Sequence, residues 1–183
     1  MPSFTKDNLS RLKCNINDYP IFLETGTYYG KTIFDMEEYF KNLITIEIKQ
    51  EIYSNLVNNY NGNKIKFING ESTNIFKHVF KLIEDNTIFF LDAHISATDS
   101  GYGNKAVPLL DEIELINKNY LRDGIIIISD VRLFGKKMGS EDWSEISKDK
   151  IFEILFSRIN DFYYLDSEYS KDDFLIIHIK KIN

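Results

Sequence analysis

The order of apolar runs predicts an α/β domain: a mostly parallel sheet with helices on both faces, closed by an antiparallel hairpin. Two observations carry this. Short β-rich segments alternate with stretches of helical spacing, the mark of strand–helix crossover units. The last two apolar runs are instead joined by the polar "EYSKDD", too short a link for a crossover helix, so they pair antiparallel.

Five strands are expected at "IFLET" (21–25), "LITIEI" (43–48), "KIKFING" (64–70), "TIFFLDA" (87–93) and "GIIIISD" (124–130). They are almost wholly apolar, as strands buried on both faces must be. Helices fit between them at about 30–42, 49–60, 72–84, 107–120 and 144–158; in the second, Ile52, Leu56 and Tyr60 fall on one face. "DFYYLDS" (161–167) and "DFLIIHIKK" (173–181) supply the hairpin. No repeat, linker or low-complexity tract divides the chain, so 1–183 reads as one domain with an expected helical extension over 1–19.

Composition narrows the function classes. A net charge of -6 and a pI near 5.1 argue against a general nucleic-acid binder. The single cysteine, Cys14, excludes an internal disulfide and a cysteine zinc cage, which suits the cytoplasm. No apolar run reaches the roughly 18 residues of a membrane span, and the N-terminus lacks a signal peptide's apolar core. A homodimer is compatible with all of this.

The first strand runs into "FLETGTYYGKT" (22–32), which nearly matches two nucleotide motifs and fits neither. A phosphate loop needs four residues between its glycine and Gly-Lys-Thr; Gly26 and Gly30 have three between them, and Glu24 would repel a triphosphate. The dinucleotide pattern wants glycine where Tyr28 stands. Glu47, about twenty residues on, suits a ribose diol but is common to several cofactors. Glu24 points instead to a ligand carrying positive charge.

In order along the chain, "FLETGTYYGKT", "ITIEI", "INGES", "FFLDAH" and "GIIIISD" resemble the motifs of class I S-adenosylmethionine-dependent methyltransferases, over roughly residues 20–181. The resemblance implies a Rossmann-like, doubly wound, seven-stranded sheet and an O-methyltransferase acting on a small molecule or sugar. It places Glu24, Gly26, Thr27, Tyr28 and Gly30 around the cofactor, Glu47 on the ribose, Glu71 and Ser72 by the adenine, and Asp92 at the methyl group. Metal-dependent members imply a magnesium or calcium ion on Asp92 and Asp130, although Val131 stands where a second acid or amide is wanted.

Other residues keep two readings. His94 is a general base beside Asp92 or a loop histidine; His78 and His178 read as structural. The loop 94–107 reads as a lid offering Asp99 and Tyr102 to substrate, and 131–143 as a second active-edge loop whose Arg132, Lys136 and Lys137 meet an anionic group or solvent. Asp111, Glu112 and Glu114 are expected to face water. Tyr28 and Tyr29 cover a cofactor or pack, and Trp143 packs or anchors a lid. A kinase or NTPase using Lys31 and Thr32, and a silent binding module, stand as alternative functions.

Overall fold

A computed structural model describes residues 2–95 and 101–182. Helix α1 (Lys6–Ser10) opens on a Thr5 capping box and leads to a single 3-10 turn at Ile16–Asp18. Then follow β1 (Ile21–Thr25), α2 (Lys31–Met36), β2 (Asn42–Glu47), α3 (Gln50–Asn59), β3 (Ile65–Asn69), α4 (Ser72–Val79), β4 (Thr87–Leu91), α5 (Leu109–Asn119) and β5 (Gly124–Ile128). A two-residue ladder, β6 (Lys137–Met138) with β7 (Glu141–Asp142), precedes α6 (Lys148–Leu155) and the final strands β8 (Ile159–Leu165) and β9 (Phe174–Ile179).

The main sheet has the order β3-β2-β1-β4-β5-β9-β8. β1 to β5 are parallel, and β9 runs antiparallel to both β5 and β8. This is the seven-stranded sheet with a terminal hairpin that the alternation predicted. Because β1 leads outward to β2 and β3 while β4 returns to its other side, the chain reverses its winding between β1 and β4. A crevice must open there, at the carboxyl ends of the strands.

Strand residues divide two cores by parity. Leu23, Ile46, Phe89, Ile126 and Ile177 face one side under α4, α5 and α6, while Phe22, Leu43, Phe90, Ile127 and Ile176 face the other with Phe4, Ile33 and Met36. Each such side chain, fully withdrawn from water, contributes about 1.5–3 kcal/mol. At the bottom edge Arg158 donates from Nε to Lys180 O (2.8 Å) and from Nη2 to Arg122 O (3.0 Å), tying the chain after α6 to the ends of β9 and α5.

Three expectations need correction. The helix read over 30–42 ends at Met36, since the amides of Lys41 and Asn42 already bond to Pro20 O to start β2. The helix read over 72–84 gives way at Phe80 to a 3-10 turn. The helix read from 144 begins at Lys148, where Ser147 Oγ accepts from Lys150 N at 3.2 Å.

Candidate functional site

Strand alignment puts Thr25, Glu47, Asn69, Leu91 and Ile128 at one edge, so the loops that follow them converge. The β1–α2 turn is the tightest. Gly26, Tyr28 and Gly30 all take positive φ (79°, 48° and 82°), and Gly26 N bonds to Ile46 O at 3.0 Å. A Cβ on Gly26 would lie 2.6 Å from the backbone oxygen of Asp92, so only glycine lets the β1 and β4 exits touch.

This turn delivers the Tyr28 amide to Glu47. Oε2 of Glu47 accepts from Tyr28 N and Oε1 from Lys49 N, both at 2.8 Å. Burial raises the Glu47 pKa while the Lys49, Tyr28 and Ile48 amides pull against it, and the carboxylate keeps acceptor capacity for a diol hydroxyl. Asn69 Nδ2 supports the same corner through Glu47 O at 2.9 Å.

A pocket partly open to solvent lies above this corner, with about 590 Å³ of empty space counted together with the solvent at its mouth. Its apolar walls are Ile46, Ile48, Ala93, Ile95, Ala106 and Pro108; Glu47, Glu71, Ser72, Asp92 and His94 provide polar groups. Glu71 also latches the loop above, its Oε1 accepting from Asn104 N (2.8 Å) and its Oε2 from Asn104 Nδ2 (2.6 Å). Gly101 and Gly103 bring that loop onto Ile48 and Glu71. Asp99 lies outside the described residues, and Tyr102 is 72% exposed.

Glu24, Thr27 and Gly30 do not line this pocket. Glu24 points to the opposite face of β1, where Thr45 Oγ1 donates to its Oε2 at 2.7 Å and meets Thr27 Oγ1 at 2.5 Å. Burial pushes Glu24 up to about 8, against the Thr45 hydrogen bond, so at neutral pH it is mostly uncharged. The expectation of a ready negative charge for a cationic ligand is corrected accordingly. Glu24 and Thr27 border a second, shallower cavity that shares Gly26, Tyr28 and Asp92 with the first and adds Lys31, Glu168 and Tyr169. Gly30 caps α2.

The tips of β4 and β5 hold a denser arrangement. Asp92 takes the Ser129 hydroxyl; burial, then the nearby Asp130 charge, raises its pKa well above the carboxylate range. Asp130 adopts φ 59°, a strained conformation for a residue with a side chain, and neither of its buried oxygens has a hydrogen-bond partner among the described residues. Its nearest charge is Arg132, with Nη1 2.5 Å from Asp130 Oδ1 and 2.5 Å from Asp173 Oδ2. The first approach is an ion pair without hydrogen-bond alignment.

His94 Nε2 lies 3.3 Å from Asp130 Oδ2 and 3.8 Å from Glu141 Oε2, with its ring edge-on to Trp143. Burial lowers the His94 pKa to about 4, so the imidazole is neutral. Asp92, His94 and Asp130 place ligand atoms within 4.8 Å of one another.

Several peripheral expectations also change. Arg132 is committed to two buried carboxylates, and Lys137 pairs with Asp142 at 3.1 Å, leaving Lys136 as the exposed cation of that loop for which no ion pair is found among the described residues. Glu112, expected in water, is 1% exposed. Its signal was present: Leu109, Glu112, Ile113 and Ile116 follow the i, i+3, i+4, i+7 spacing of the buried stripe of α5. Thr32, a metal ligand in a phosphate loop, here accepts from Phe4 N at 3.2 Å and anchors the N-terminal segment. His178 contacts Tyr163 Oη at 3.3 Å, and His78 faces solvent on α4.

No protein-family model matches the sequence, and no curated protein does. Solved structures do resemble it. The O-methyltransferase TomG of Streptomyces achromogenes, involved in tomaymycin synthesis and bound to S-adenosylmethionine, aligns with TM-score 0.63 and 15% identity over 90% of this chain and 75% of its own. Methanococcus jannaschii fibrillarin, a pre-rRNA processing protein, gives 0.57 and 19% over 94% and 71%. The N-methyltransferase NodS of Bradyrhizobium japonicum, bound to S-adenosylhomocysteine, gives 0.54 and 9% over 89% and 78%. The strand order, the crevice at the reversal of winding and these likenesses together establish that the chain has the Rossmann-like fold of class I S-adenosylmethionine-dependent methyltransferases.

Proposed function

We propose that the protein is an S-adenosylmethionine-dependent methyltransferase that methylates an oxygen of a small molecule or sugar. The oxygen acceptor rests on the resemblance of the sequence motifs; the observation that supports a nucleoside cofactor is Glu47, whose carboxylate is fixed by the Tyr28 and Lys49 amides at the edge of a pocket with apolar walls. That is the geometry a ribose diol with a flat base beyond it requires. Glu71 and Ser72 border the base end, and Gly26, Tyr28 and Asp92 border the junction of the two cavities, where the methyl group would lie.

In the reaction the acceptor oxygen attacks the methyl carbon in line, the carbon–sulfur bond breaks and S-adenosylhomocysteine leaves. The hydroxyl proton passes to the Asp92 carboxylate. The raised pKa of Asp92 makes its ionised form a stronger base than an ordinary aspartate and moves the pH at which that form is populated upward. Holding the reactants in contact supplies much of the remaining acceleration. His94, neutral and clamped against Asp130, keeps the β4 and β5 tips in register.

The spacing of Asp92, His94 and Asp130 would suit a divalent ion, which would compete with the Arg132 guanidinium 2.5 Å from Asp130 Oδ1. Magnesium or calcium held there would acidify the acceptor hydroxyl.

Calorimetric titration with S-adenosylhomocysteine, with and without magnesium, tests the reading. Micromolar binding is expected, weakened about 10- to 100-fold in Glu47→Ala through loss of charge-assisted hydrogen bonds; Asp92→Ala should keep binding and lose turnover. Binding of magnesium-ATP in place of S-adenosylhomocysteine would replace this reading with a kinase or NTPase. A thermal midpoint indifferent to excess S-adenosylhomocysteine would leave a silent module.

A further inference from the structure

The second cavity, which meets the first at Gly26, Tyr28 and Asp92, is built from three segments far apart in sequence. The β1–α2 turn supplies Thr27 and Tyr29, the N-terminal segment Pro2 and Ser3, and the β8–β9 turn Glu168 and Tyr169. Both outer walls are anchored in the core. Phe4, fully buried against Phe90 and Phe174, donates its amide to Thr32 Oγ1 at 3.2 Å and fixes the N-terminal wall. In the β8–β9 turn, Ser167 Oγ accepts from the Tyr169 amide (3.0 Å) and the Ser170 amide (3.2 Å) and donates to the buried Asp173 Oδ2 at 2.5 Å. Arg132, paired with the same Asp173, sets its guanidinium carbon 5.2 Å from the centre of the Tyr169 ring. The cavity holds about 780 Å³ of empty space counted with the solvent at its mouth, within the range of small-molecule clefts, roughly 300–1,000 Å³.

The two cavities are lined in different ways. Ile46, Ile48 and Ile95 wall the first, whereas no leucine, isoleucine, valine, methionine or phenylalanine lines the second among the described residues. Its aromatic groups are all tyrosines, and Tyr29 and Tyr169 are 58% and 60% exposed. An acceptor with a large apolar surface would gain little burial here. An anionic acceptor would find Lys31 balanced by Glu168, one charge of each sign. The lining suits a neutral, polyhydroxylated ring. The C–H groups of a pyranose rest on the negative face of an aromatic ring, and its hydroxyls exchange hydrogen bonds with groups such as Ser3 and Thr27.

We propose that the second cavity takes a neutral pyranose unit as the methyl acceptor, with Tyr29 and Tyr169 as its stacking platforms. The proposal rests on the reading of the first cavity as the S-adenosylmethionine site and narrows the acceptor to a sugar. A ring hydroxyl then lies at Asp92, where the cavities meet. Its oxygen bonds to the methyl carbon, the carbon–sulfur electron pair stays on sulfur, and the proton goes to the Asp92 carboxylate.

The test is saturation-transfer NMR on the full chain loaded with S-adenosylhomocysteine. It is titrated with the methyl pyranosides of glucose, galactose, mannose, rhamnose and xylose, and with catechol as a phenolic comparison. At least one glycoside should bind saturably and more tightly than catechol. Tyr169→Ala should weaken that glycoside about tenfold, the scale of one aromatic contact, while S-adenosylhomocysteine affinity stays within about twofold. Tyr169→Phe keeps the ring and should hold the glycoside within about threefold of wild type. If no glycoside binds the loaded protein, or if its affinity is unchanged in Tyr169→Ala, the proposal is overturned and the cofactor reading stands. Failure of S-adenosylhomocysteine itself to bind would overturn both.

Discussion

The two halves of the carboxyl edge treat their acids in opposite ways. At the tips of β2 and β3, Glu47 and Glu71 each accept backbone amides, Tyr28 and Lys49 for one and Asn104 for the other. At the tips of β4 and β5, Asp92 takes the Ser129 hydroxyl, while Asp130 shares the Arg132 guanidinium with Asp173 from the β8–β9 connection and has no hydrogen bond among the described residues. The first half holds its acids in place with main-chain hydrogen bonds. The second stores unfavourable electrostatics, as a place where charge changes during a reaction would be expected to do.

The contrast breaks most directly at Arg132. Arg132→Ala leaves Asp130 and Asp173 without their cation, and thermal unfolding should show a loss of about 3–5 kcal/mol. Adding Asp130→Asn should recover part of it, and additive losses would mean that the two residues do not share one charge balance.

Next in size is the pH response of Glu24. Its folded pKa, near 8, lies above its unfolded value, so the stability it contributes is complete below about 4.5 and is lost as pH rises through 8. Glu24→Gln should be more stable than wild type at pH 8.5 by a few kcal/mol, with the gap closing at pH 5. His94 works the other way: its folded pKa is lowered, so its share is present above about 6.5 and lost as pH falls toward 4. Melting curves from pH 4 to 8.5 with His94→Gln separate the two, and a variant retaining the full acid-side loss would remove His94 from the account.

A smaller effect is expected at the latch. Glu71→Ala frees Asn104 and the loop above the pocket, so S-adenosylhomocysteine should dissociate about tenfold faster, the equivalent of one charge-assisted hydrogen bond. Smallest and most distant is the α6 cap. Ser147→Ala should cost about 1 kcal/mol of stability without altering ligand affinity, which marks the scale of an effect unrelated to the site.

Much of the architecture was legible because parallel strands buried on both faces must be apolar along their whole length; Ile125 to Ile128 could hardly be anything else. The site was legible where a local pattern sets the geometry, as in the glycine-bearing turn that carries the Tyr28 amide to Glu47. It was illegible where distant segments meet. That Asp130 turns into a left-handed conformation, that His94 swings onto it, and that Arg132 is consumed by Asp173 from the β8–β9 connection depends on tertiary placement. Glu24 and Glu112 were misjudged for a different reason. A charged letter suggested water or a charged partner, whereas burial leaves one mostly neutral and the other near its midpoint at neutral pH.

The contact of Gly26 with the Asp92 backbone has a bearing on engineering. The clearance there is set by main-chain atoms on both sides, so no change of a neighbouring side chain can make room for a larger residue. A library that reshapes the pocket should therefore leave position 26 constant and vary residues 101–106, where Asn104 is held by two hydrogen bonds to the Glu71 carboxylate.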